Sequence, residues 1–489
     1  WLPGPLLGSP IMPNRPASAR DVVRRIKEEQ IEFLDLKFVD LLGTLQHLTL
    51  PAEMVDEGLF RNGMAFDGSS VRGFTRINQS DMLLIPDPGS VFFDPFFDDP
   101  ALSVFCDIVD PNGRYTFSRD PRSVARRAEV LLRSLGIADT AYFGPEIEFF
   151  IFDDVRFDQA TQHGYFFLNS SAASWATGEK GDNPNLGHRA AQRGAYFSAP
   201  PVDQYNNLRS KISHVLKRVG LQPELHHHEV GAAGQCEIGF RFGPLLQQAD
   251  ASIKYKYVVK NVVNRFGKTA TFMPKPLLQE NGSGMHHNIS LSKEGRNVFY
   301  EAGRYGDLSE LALHFVGGLL EHANALCGIC CPTTNSYRRL VPGYEAPMNL
   351  LYSGRNRSAC IRIPSMTGGP KSKRIEFRTP DPSCNPYLSF AAIMCAGLDG
   401  VRRRIEPPDP VDEDIYELAA SGAGAEIART PGSLDEALNA LESDHDFLVQ
   451  DGVFTPDLIE TWVDHKRRNE IDFVRLRPHP GEFSLYFNT

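Results

Sequence analysis

The apolar and polar positions near the start of the chain alternate in a way that predicts a pair of strands. Residues 33–40, Phe-Leu-Asp-Leu-Lys-Phe-Val-Asp, follow the period of two that is expected of a half-buried strand. Gly43 falls in the turn that follows, and residues 45–50 supply the return strand. Ser18 is suited to cap a helix that precedes this pair.

A domain boundary is predicted at Ser118-Arg-Asp-Pro121, because proline is favoured in the first turn of a helix and an amphipathic helix follows. Strands predicted at residues 83–85 and 101–108 complete a small α+β domain before this boundary. The predicted division of the chain is a flexible extension over residues 1–16, an N-terminal domain over residues 17–117 and a larger C-terminal domain over residues 118–489.

The composition narrows the class of protein without identifying it. The chain has 489 residues, of which 42% are hydrophobic and 23% charged, as in ordinary globular proteins of more than one domain. A net charge of −10 argues against a nucleic acid or an anionic membrane as the main partner. No apolar run approaches the roughly 18 residues of a membrane span. The eight cysteines lie mostly in apolar stretches, which predicts reduced core thiols and a cytoplasmic location.

Two carboxylates in an apolar run are the first sign of chemistry. Glu146 and Glu148 lie within Phe143-Gly-Pro-Glu-Ile-Glu-Phe-Phe150, which predicts a buried strand. Side chains two apart on a strand point to the same face, and two buried negative charges need a cation beside them. A divalent metal ion is the simplest such cation. The alternative is a pair of solvated acids at a strand edge, which the apolar neighbours disfavour.

A second acidic group follows three consecutive histidines. His226, His227 and His228 precede Glu229, and the small residues 231–234 make a bend that could return Glu237 toward Glu229. Because neighbouring residues on a strand face opposite ways, at most one or two of the histidines could bind a metal ion. For the histidines alone, a polar strand end remains an equal alternative.

Glycine and cationic residues complete the candidate site. Residues 281–290, Asn-Gly-Ser-Gly-Met-His-His-Asn-Ile-Ser, form a glycine-rich turn that enters a strand. Residues 357–362 and 371–378 carry arginines and lysines interleaved with apolar side chains, which favours cations that point into a cleft. The chain has no Gly-x4-Gly-Lys-Ser/Thr phosphate loop, because Gly267-Lys-Thr269 lacks the glycine five residues earlier. These motifs therefore predict a phosphoryl-transfer site built on strands.

Taken together, the motifs resemble those of bacterial type I glutamine synthetase over residues 18–489. The matching blocks are Phe66-Asp-Gly-Ser-Ser70, Gly144-Pro-Glu-Ile-Glu-Phe149, His227-His-Glu-Val230, Lys268-Thr-Ala-Thr-Phe-Met-Pro-Lys-Pro276, Asn281-Gly-Ser-Gly-Met-His286, Asn335-Ser-Tyr-Arg-Arg-Leu-Val-Pro-Gly-Tyr-Glu-Ala-Pro347 and Asn356-Arg-Ser-Ala359.

The resemblance implies both a fold and a reaction. The fold is α+β, with an N-terminal β-grasp-like domain and a C-terminal catalytic domain that combines a curved antiparallel sheet with helices. The reaction is the ATP-dependent ligation of ammonia to the γ-carboxylate of glutamate, through γ-glutamyl phosphate, which yields glutamine, ADP and phosphate. Also implied are two or more Mg²⁺ or Mn²⁺ ions per subunit and a homo-dodecamer of two hexameric rings with active sites between subunits.

The same resemblance implies roles for individual residues. The implied metal ligands are Glu148, Glu229 and Glu237 for one ion, and Glu146, His286 and Glu376 for a second. The implied nucleotide and phosphate contacts are Glu224, Asn288, Ser290, Arg357, Arg362, Lys371 and Arg374. The implied glutamate contacts are Asn281, Gly282, Arg339, Arg357 and Arg378. The implied catalytic residues are Asp67, which would reach ammonium from the next subunit, Glu345, which would close over the intermediate, and Arg357.

The chain departs from the family pattern at two places. Many members have a second histidine where this chain has Asn288. Residues 414–418 resemble the loop in which a tyrosine is modified by an adenylyltransferase, but Ala-Ala-Ser-Gly replaces the usual Pro-Pro-Glu-Glu continuation. Adenylylation of Tyr416 is therefore a hypothesis, and a structural aromatic is its alternative.

Three other functions compete with this assignment. One is a ligase of the same superfamily that joins glutamate to a polyamine or another amine, although Asp67 and Glu345 both favour ammonia. Another is a catalytically inactive structural homologue, which would be expected to have lost metal ligands. The last is a nucleotide-binding regulator, for which no extra partner domain is evident.

Overall fold

The computed structural model describes residues 18–75, 80–112, 115–176, 186–344, 346–365, 369–413 and 427–489. The extension predicted at residues 1–16, together with Glu345 and Tyr416, lies outside the described residues. None of the helices in these ranges is long and apolar enough to cross a membrane.

The N-terminal domain is a six-stranded sheet with one long helix. Its elements are α1 Ala19–Glu28, β1 Phe33–Val39, β2 Leu45–Pro51, α2 Leu59–Asn62, β3 Met64–Asp67, β4 Asp81–Pro86, β5 Phe92–Asp94 and β6 Ala101–Val109. The strand order is β2-β1-β6-β4-β3, with β5 beside β6; β1 and β6 are parallel and the other pairs are antiparallel. As predicted, Ser18 caps α1: its hydroxyl accepts from the Asp21 amide, and the Asp21 carboxylate accepts from the Ser18 amide.

Strand β1 differs from the prediction of a half-buried strand, because both of its faces are buried. Lys37 lies 2.6 Å from a carboxylate oxygen of Asp35 and 3.3 Å from one of Asp94. The Lys37 ammonium is also 4.3 Å from the ring centroid of Tyr257, which belongs to the C-terminal domain. The polar alternation of this strand therefore marks a buried ion cluster, which can be buried because its charges are paired.

The C-terminal domain is built on a curved ten-stranded sheet. Its strands are β7 Thr140–Phe152, β10 Pro223–His228, β11 Gln235–Phe240, β12 Gly243–Pro244, β13 Thr269–Thr271, β14 Met285–Lys293, β15 Arg296–Asn297, β16 Asn349–Ser353, β17 Ala359–Arg362 and β18 Ile375–Phe377, while β8 Asp154–Ala160 and β9 His163–Asn169 form a separate hairpin. The order is β10-β11-β7-β14-β18-β17-β16, antiparallel except for the β16–β17 pair. Strand β7 lies centrally and carries Glu146 and Glu148.

Helices pack around this sheet and enclose the main core. They are α3 Pro121–Ser134, α4 Asn206–Arg218, α5 Leu245–Arg265, α6 Glu310–Glu321, α7 Ala323–Cys330, α8 Ser336–Arg339, α9 Pro386–Arg403, α10 Leu434–Ser443, α11 Asp446–Val449 and α12 Pro456–His465. Two further helices, α13 Asp472–Arg475 and α14 Pro480–Tyr486, follow and bury none of their residues. Most of α9 is buried, including Phe390, which stacks on Phe143 of β7 at a centroid distance of 4.5 Å. All eight cysteines are buried free thiols, as predicted.

The β1–β2 turn joins the two domains. The Asn385 amide donates to the carbonyls of Asp40 and Leu41, while its Oδ1 caps α9. Gly43 adopts a φ of +91°, and a Cβ there would lie 3.0 Å from the Asn385 Cα. Glycine is needed in this turn for its left-handed conformation and for the close approach to the C-terminal domain.

Candidate active site

The central strands and the 371–374 segment enclose a cleft of about 710 Å³. Its volume is in the range of small-molecule sites. Among its lining residues are two of the metal ligands and five of the nucleotide contacts implied by the resemblance: Glu146, Glu237, Glu224, Asn288, Ser290, Lys371 and Arg374. Strands that are far apart in the sequence thus present these side chains to one space.

Three carboxylates meet on the inner strands. Glu237 of β11 lies opposite Glu148 of β7, and Glu229 follows the end of β10. Each residue is only 8% exposed. Burial and the nearby charge of Glu229 raise the pKa of Glu148 to about 8, and burial raises the pKa of Glu229 to about 7. The pKa of Glu237 is raised well above its usual range by burial and by three neighbouring carboxylates.

His227 joins this group, although it was absent from the implied ligand set. Its Nδ1 is 3.5 Å from a Glu229 oxygen, and its Nε2 is 3.7 Å from a Glu237 oxygen. One donor atom from each of His227, Glu229 and Glu237 lies within 4.8 Å of the others. Burial lowers the pKa of His227, which favours the neutral ring that can bind a metal ion. The feature that identifies His227 as a candidate ligand is its position opposite Glu237 in the β10–β11 pair. That position cannot be read from the sequence alone, because it depends on the strand register.

Glu148 faces the same space but is held by hydrogen bonds. Its Oε2 accepts from the Gly284 amide at 2.8 Å and from the Gln235 side chain at 3.1 Å. These neutral donors orient the carboxylate without neutralising its charge. Among the ion pairs of the described ranges, none joins Glu148, Glu229 or Glu237 to a lysine or an arginine.

A second cluster contains Glu146, His286 and Glu376, again with donor atoms within 4.8 Å of one another. His286 Nδ1 is 3.3 Å from a Glu146 oxygen and 3.6 Å from a Glu376 oxygen. His286 and Glu146 are cross-strand partners in the β14–β7 pair, so the register brings them together. Burial and the charge of Arg378 hold the pKa of His286 well below its usual range, and the ring is therefore neutral.

Both clusters fit a hard divalent cation. Carboxylate oxygens and neutral imidazoles are ligands for Mg²⁺ or Mn²⁺, and no thiol is among them. The decisive feature is the three buried carboxylates Glu148, Glu229 and Glu237, whose mutual repulsion a bound cation would relieve.

Asn288 links the nucleotide side of the cleft to the second cluster. Its Nδ2 donates to a Glu146 oxygen at 2.9 Å, and its Oδ1 accepts from Arg374 Nε at 2.8 Å. The amide therefore joins a cation to an anion, which neither a purely donating nor a purely accepting side chain could do. Glu224 and Ser290 line the same cleft.

The arginines near Glu376 make hydrogen bonds within the described part of the chain. Arg362 Nη1 lies 2.7 Å from a Glu376 oxygen, and Arg378 Nη1 donates to the other oxygen. Arg378 Nε also donates to the Arg357 carbonyl, while the Arg357 side chain is exposed. Arg339 donates to the carbonyls of Thr379 and Arg378.

The turn at Gly282 packs tightly against Arg339. A Cβ on Gly282 would lie 2.6 Å from the Pro274 carbonyl oxygen and 2.8 Å from Arg339 Cγ. Asn281, the neighbouring residue of this turn, is 8% exposed. Glycine therefore allows the backbone to pass beside the guanidinium-bearing side chain.

Asp67 stands apart from these clusters in the described chain. It is exposed at the end of β3, and its carboxylate accepts from Ser69 and Ser70. These hydrogen bonds lower the pKa of Asp67, which favours the ionised form. Within the described ranges, the Asp67 carboxylate makes no hydrogen bond to any residue of the two carboxylate–histidine clusters.

Comparisons with known proteins agree with this architecture. Residues 30–111 match the β-grasp domain of glutamine synthetase, and residues 118–486 match the glutamine synthetase catalytic domain. Glutamine synthetase from Frankia alni is 53% identical over 96% of this chain and 99% of its own length, and that from Nostoc sp. is 50% identical over 96% and 99%.

Solved structures show the same fold. Plasmodium falciparum glutamine synthetase superposes with a TM-score of 0.89 at 29% identity, covering 96% of this chain and 99% of that one. A complex of GmaS with ADP gives a TM-score of 0.80 at 28% identity, covering 96% of this chain and all of that one. The matches cover both domains and nearly the whole length of each relative, and this chain therefore belongs to the glutamine synthetase family.

Proposed function

We propose that this chain ligates ammonia to the γ-carboxylate of glutamate at the expense of ATP, yielding glutamine, ADP and phosphate. The observation that carries the proposal is the pair of carboxylate–histidine clusters that adjoins a cleft lined by cationic and amide side chains. Such a site can neutralise charge during phosphoryl transfer, which is the main demand of that chemistry.

His227, Glu229 and Glu237, with Glu148 beside them, would hold one Mg²⁺ or Mn²⁺ ion. Glu146, His286 and Glu376 would hold a second. When bound, the two ions would supply positive charge to the phosphate and carboxylate oxygens. Arg362 and Arg378 neutralise the charge of Glu376. Because a guanidinium has five N–H donors, each arginine would keep donors for substrate oxygens.

ATP is proposed to occupy the cleft. Glu224, Asn288 and Ser290 supply polar contacts along its wall, and Lys371 and Arg374 supply cations suited to phosphates. The relative that was solved with ADP shares the fold, which supports a nucleotide site in this architecture. Arg357 and Arg362 do not line the cleft, and they are assigned to the phosphate being transferred.

The reaction is proposed to proceed in two steps. A γ-carboxylate oxygen of glutamate attacks the γ-phosphorus of ATP, and ADP leaves. Ammonia then attacks the acyl carbon of γ-glutamyl phosphate, and phosphate leaves. Asn281, Gly282, Arg339 and Arg378 are proposed to hold glutamate. Glu345 is assigned to shield the acyl phosphate from water, because this intermediate hydrolyses readily.

Asp67 is proposed to bind ammonium and take its proton, since ammonium has no lone pair with which to attack. Its exposure and its ionised carboxylate suit this role if it serves the active site of a neighbouring subunit. We therefore also propose the homo-dodecamer of two hexameric rings, with active sites shared between subunits.

Exposed apolar side chains support the assembly. Phe157 and Phe166 of the β8–β9 hairpin are 78% and 69% exposed, and Phe487 at the C-terminus is 75% exposed. Phe157 and Phe166 are cross-strand neighbours, and adjoining exposed apolar side chains of this kind often mark a surface that packs against another protein. A cytoplasmic location agrees with eight buried free thiols.

The test measures ATP- and glutamate-dependent phosphate release with ammonium and, separately, with putrescine. The expected result is release and glutamine formation with ammonium alone, largely lost in Asp67→Ala. Release with putrescine alone would assign the chain to the amine ligases, and no release with either amine would favour an inactive homologue.

Adenylylation of Tyr416 is proposed separately. The test is mass spectrometry after treatment with an adenylyltransferase, and the absence of an added adenylyl group would contradict the proposal.

A further inference from the structure

Arg193 has an unusual backbone conformation beside the Asn281 turn. Its φ of +60° lies in the left-handed region, which residues other than glycine rarely adopt. Its amide donates to a Glu280 carboxylate oxygen at 3.3 Å, and the Ala232 amide donates to the same oxygen at 3.1 Å. Glu280 is only 1% exposed, so a buried carboxylate anchors the strained residue.

The Arg193 side chain fixes the orientation of the Asn281 amide. Arg193 Nε donates to Asn281 Oδ1 at 3.3 Å. A guanidinium has no acceptor, so only the oxygen end of the amide can face it. The Nδ2 group, with its two N–H donors, is consequently directed away from Arg193.

The same guanidinium also holds the segment at Gly343 and Tyr344. Arg193 Nη2 donates to the Gly343 carbonyl at 2.9 Å, and the guanidinium carbon lies 4.9 Å from the Tyr344 ring centroid. Lys275 Nζ is 3.8 Å from the same centroid and also donates to the Glu280 carbonyl. Two cations near one aromatic ring thus tie this segment to the 280–281 turn.

We infer that Arg193 is a positioning residue for glutamate. It turns the Asn281 N–H donors toward an oxygen of the substrate, and it couples this amide to the backbone at Gly343. The inference rests on the proposed function, because that function assigns Asn281 to glutamate. Arg193 is itself exposed, so its replacement removes these contacts without opening the core.

The test compares wild type with Arg193→Ala, Arg193→Lys, Asn281→Ala and the Arg193→Ala/Asn281→Ala double variant. Arg189→Ala is the matched control, since Arg189 is a nearby arginine whose Nη1 donates to the His188 carbonyl. KM for glutamate, KM for ATP and the Kd for glutamate, by calorimetry, are measured on each full-length protein.

In Arg193→Ala, KM and Kd for glutamate are expected to rise about ten-fold, as for the loss of one charge-assisted hydrogen bond. KM for ATP is expected to stay within about two-fold, because no Arg193 contact reaches the ATP cleft in the described ranges. The double variant is expected to match Asn281→Ala, since the two residues act as one unit. KM and Kd for glutamate in Arg193→Lys should lie between those of Arg193→Ala and wild type, because a lysine ammonium can still donate one of the hydrogen bonds.

Three results would overturn the inference: an unchanged Kd for glutamate in Arg193→Ala, additive effects in the double variant, or a parallel rise in KM for ATP. Failure of the proposed function is a different result. It would appear as wild-type protein that forms no glutamine from ATP, glutamate and ammonium, whereas the calorimetric comparison requires no turnover.

Discussion

Glu237 lies directly opposite Glu148 on the neighbouring strand, and each residue is only 8% exposed. The first prediction follows from this pair. In the wild type, Mn²⁺ at a hundred times the Kd of the site that contains Glu237 should stabilise the fold by about 2.7 kcal/mol through that site, and Glu237→Gln should lose most of this contribution. Thermal unfolding with Mn²⁺ and with EDTA measures it.

The metal-free Glu237→Gln protein should unfold no earlier than metal-free wild type, because the substitution removes a buried ionisable group whose charged form the acidic cluster disfavours. Glu294→Gln, at an exposed glutamate on a turn, is the matched control and should keep the full Mn²⁺ response. An equal Mn²⁺ response in Glu237→Gln and wild type would contradict the metal assignment.

The bridge between Arg374 and Glu146 gives the second prediction. Asn288→Ala removes the acceptor for Arg374 and the donor to Glu146. KM for ATP should therefore rise about ten- to hundred-fold. KM for glutamate should change much less. Steady-state kinetics with the co-substrates at saturation measure both KM values. Asn288→His is expected to retain one of the two hydrogen bonds and to show a smaller rise in KM for ATP. Equal rises in both KM values would show a general disruption of the site instead.

The third prediction concerns the Gly282 turn. Gly282→Ala places a Cβ 2.6 Å from the Pro274 carbonyl oxygen, so the turn must move away from Arg339. We expect kcat/KM for glutamate to fall at least about ten-fold, because displacements of this size in a catalytic turn are costly. Gly432→Ala is the control, since its nearest atom is 3.5 Å from the added Cβ. Wild-type kinetics in Gly282→Ala would show that the turn tolerates the shift.

The fourth prediction is a pH dependence that originates at a histidine outside the cleft lining. His322 Nε2 lies 3.0 Å from Asp399, and Nδ1 lies 2.8 Å from Asp444. Burial alone would lower the pKa of His322, but hydrogen bonds to Asp444 and Asp399 outweigh it and the pKa is raised. The charged ring therefore contributes stability that is present below the unfolded pKa and is lost as pH rises through the folded pKa.

Between pH 6 and pH 8.5, the unfolding midpoint of wild type should consequently fall further than that of His322→Asn. The difference between the two proteins isolates the histidine from the carboxylates of the active site. Chemical unfolding at several pH values measures it. Parallel pH profiles for the two proteins would exclude this contribution from His322.

The fifth prediction tests the assembly. Phe166→Asp places a charge on the exposed apolar face of the β8–β9 hairpin, and burial of that charge between subunits would be costly. We expect a smaller particle than for wild type in mass photometry, with the fold of each subunit retained by circular dichroism. Asn264→Asp adds the same charge at an exposed polar position outside the hairpin and should leave the particle mass unchanged. A full-size particle in Phe166→Asp would place the hairpin outside the subunit contacts.

Local sequence signals determined much of this protein. Ser18 predicts the helix start through a contact three residues away, and the apolar run around Glu146 and Glu148 predicts their strand. Both signals are short-range, because capping and burial depend on neighbours along the chain. The glutamine synthetase motifs likewise lie within contiguous blocks, so the family could be named from the residues.

The tertiary structure decided which distant side chains meet. Strand register places His227 opposite Glu237, and packing of the C-terminal domain over Lys37 buries the second face of β1. Arg193 reaches Asn281 across 88 positions of the chain. Local alternation shows which face a residue takes but not what lies across from it, since register and domain packing are set by the whole fold.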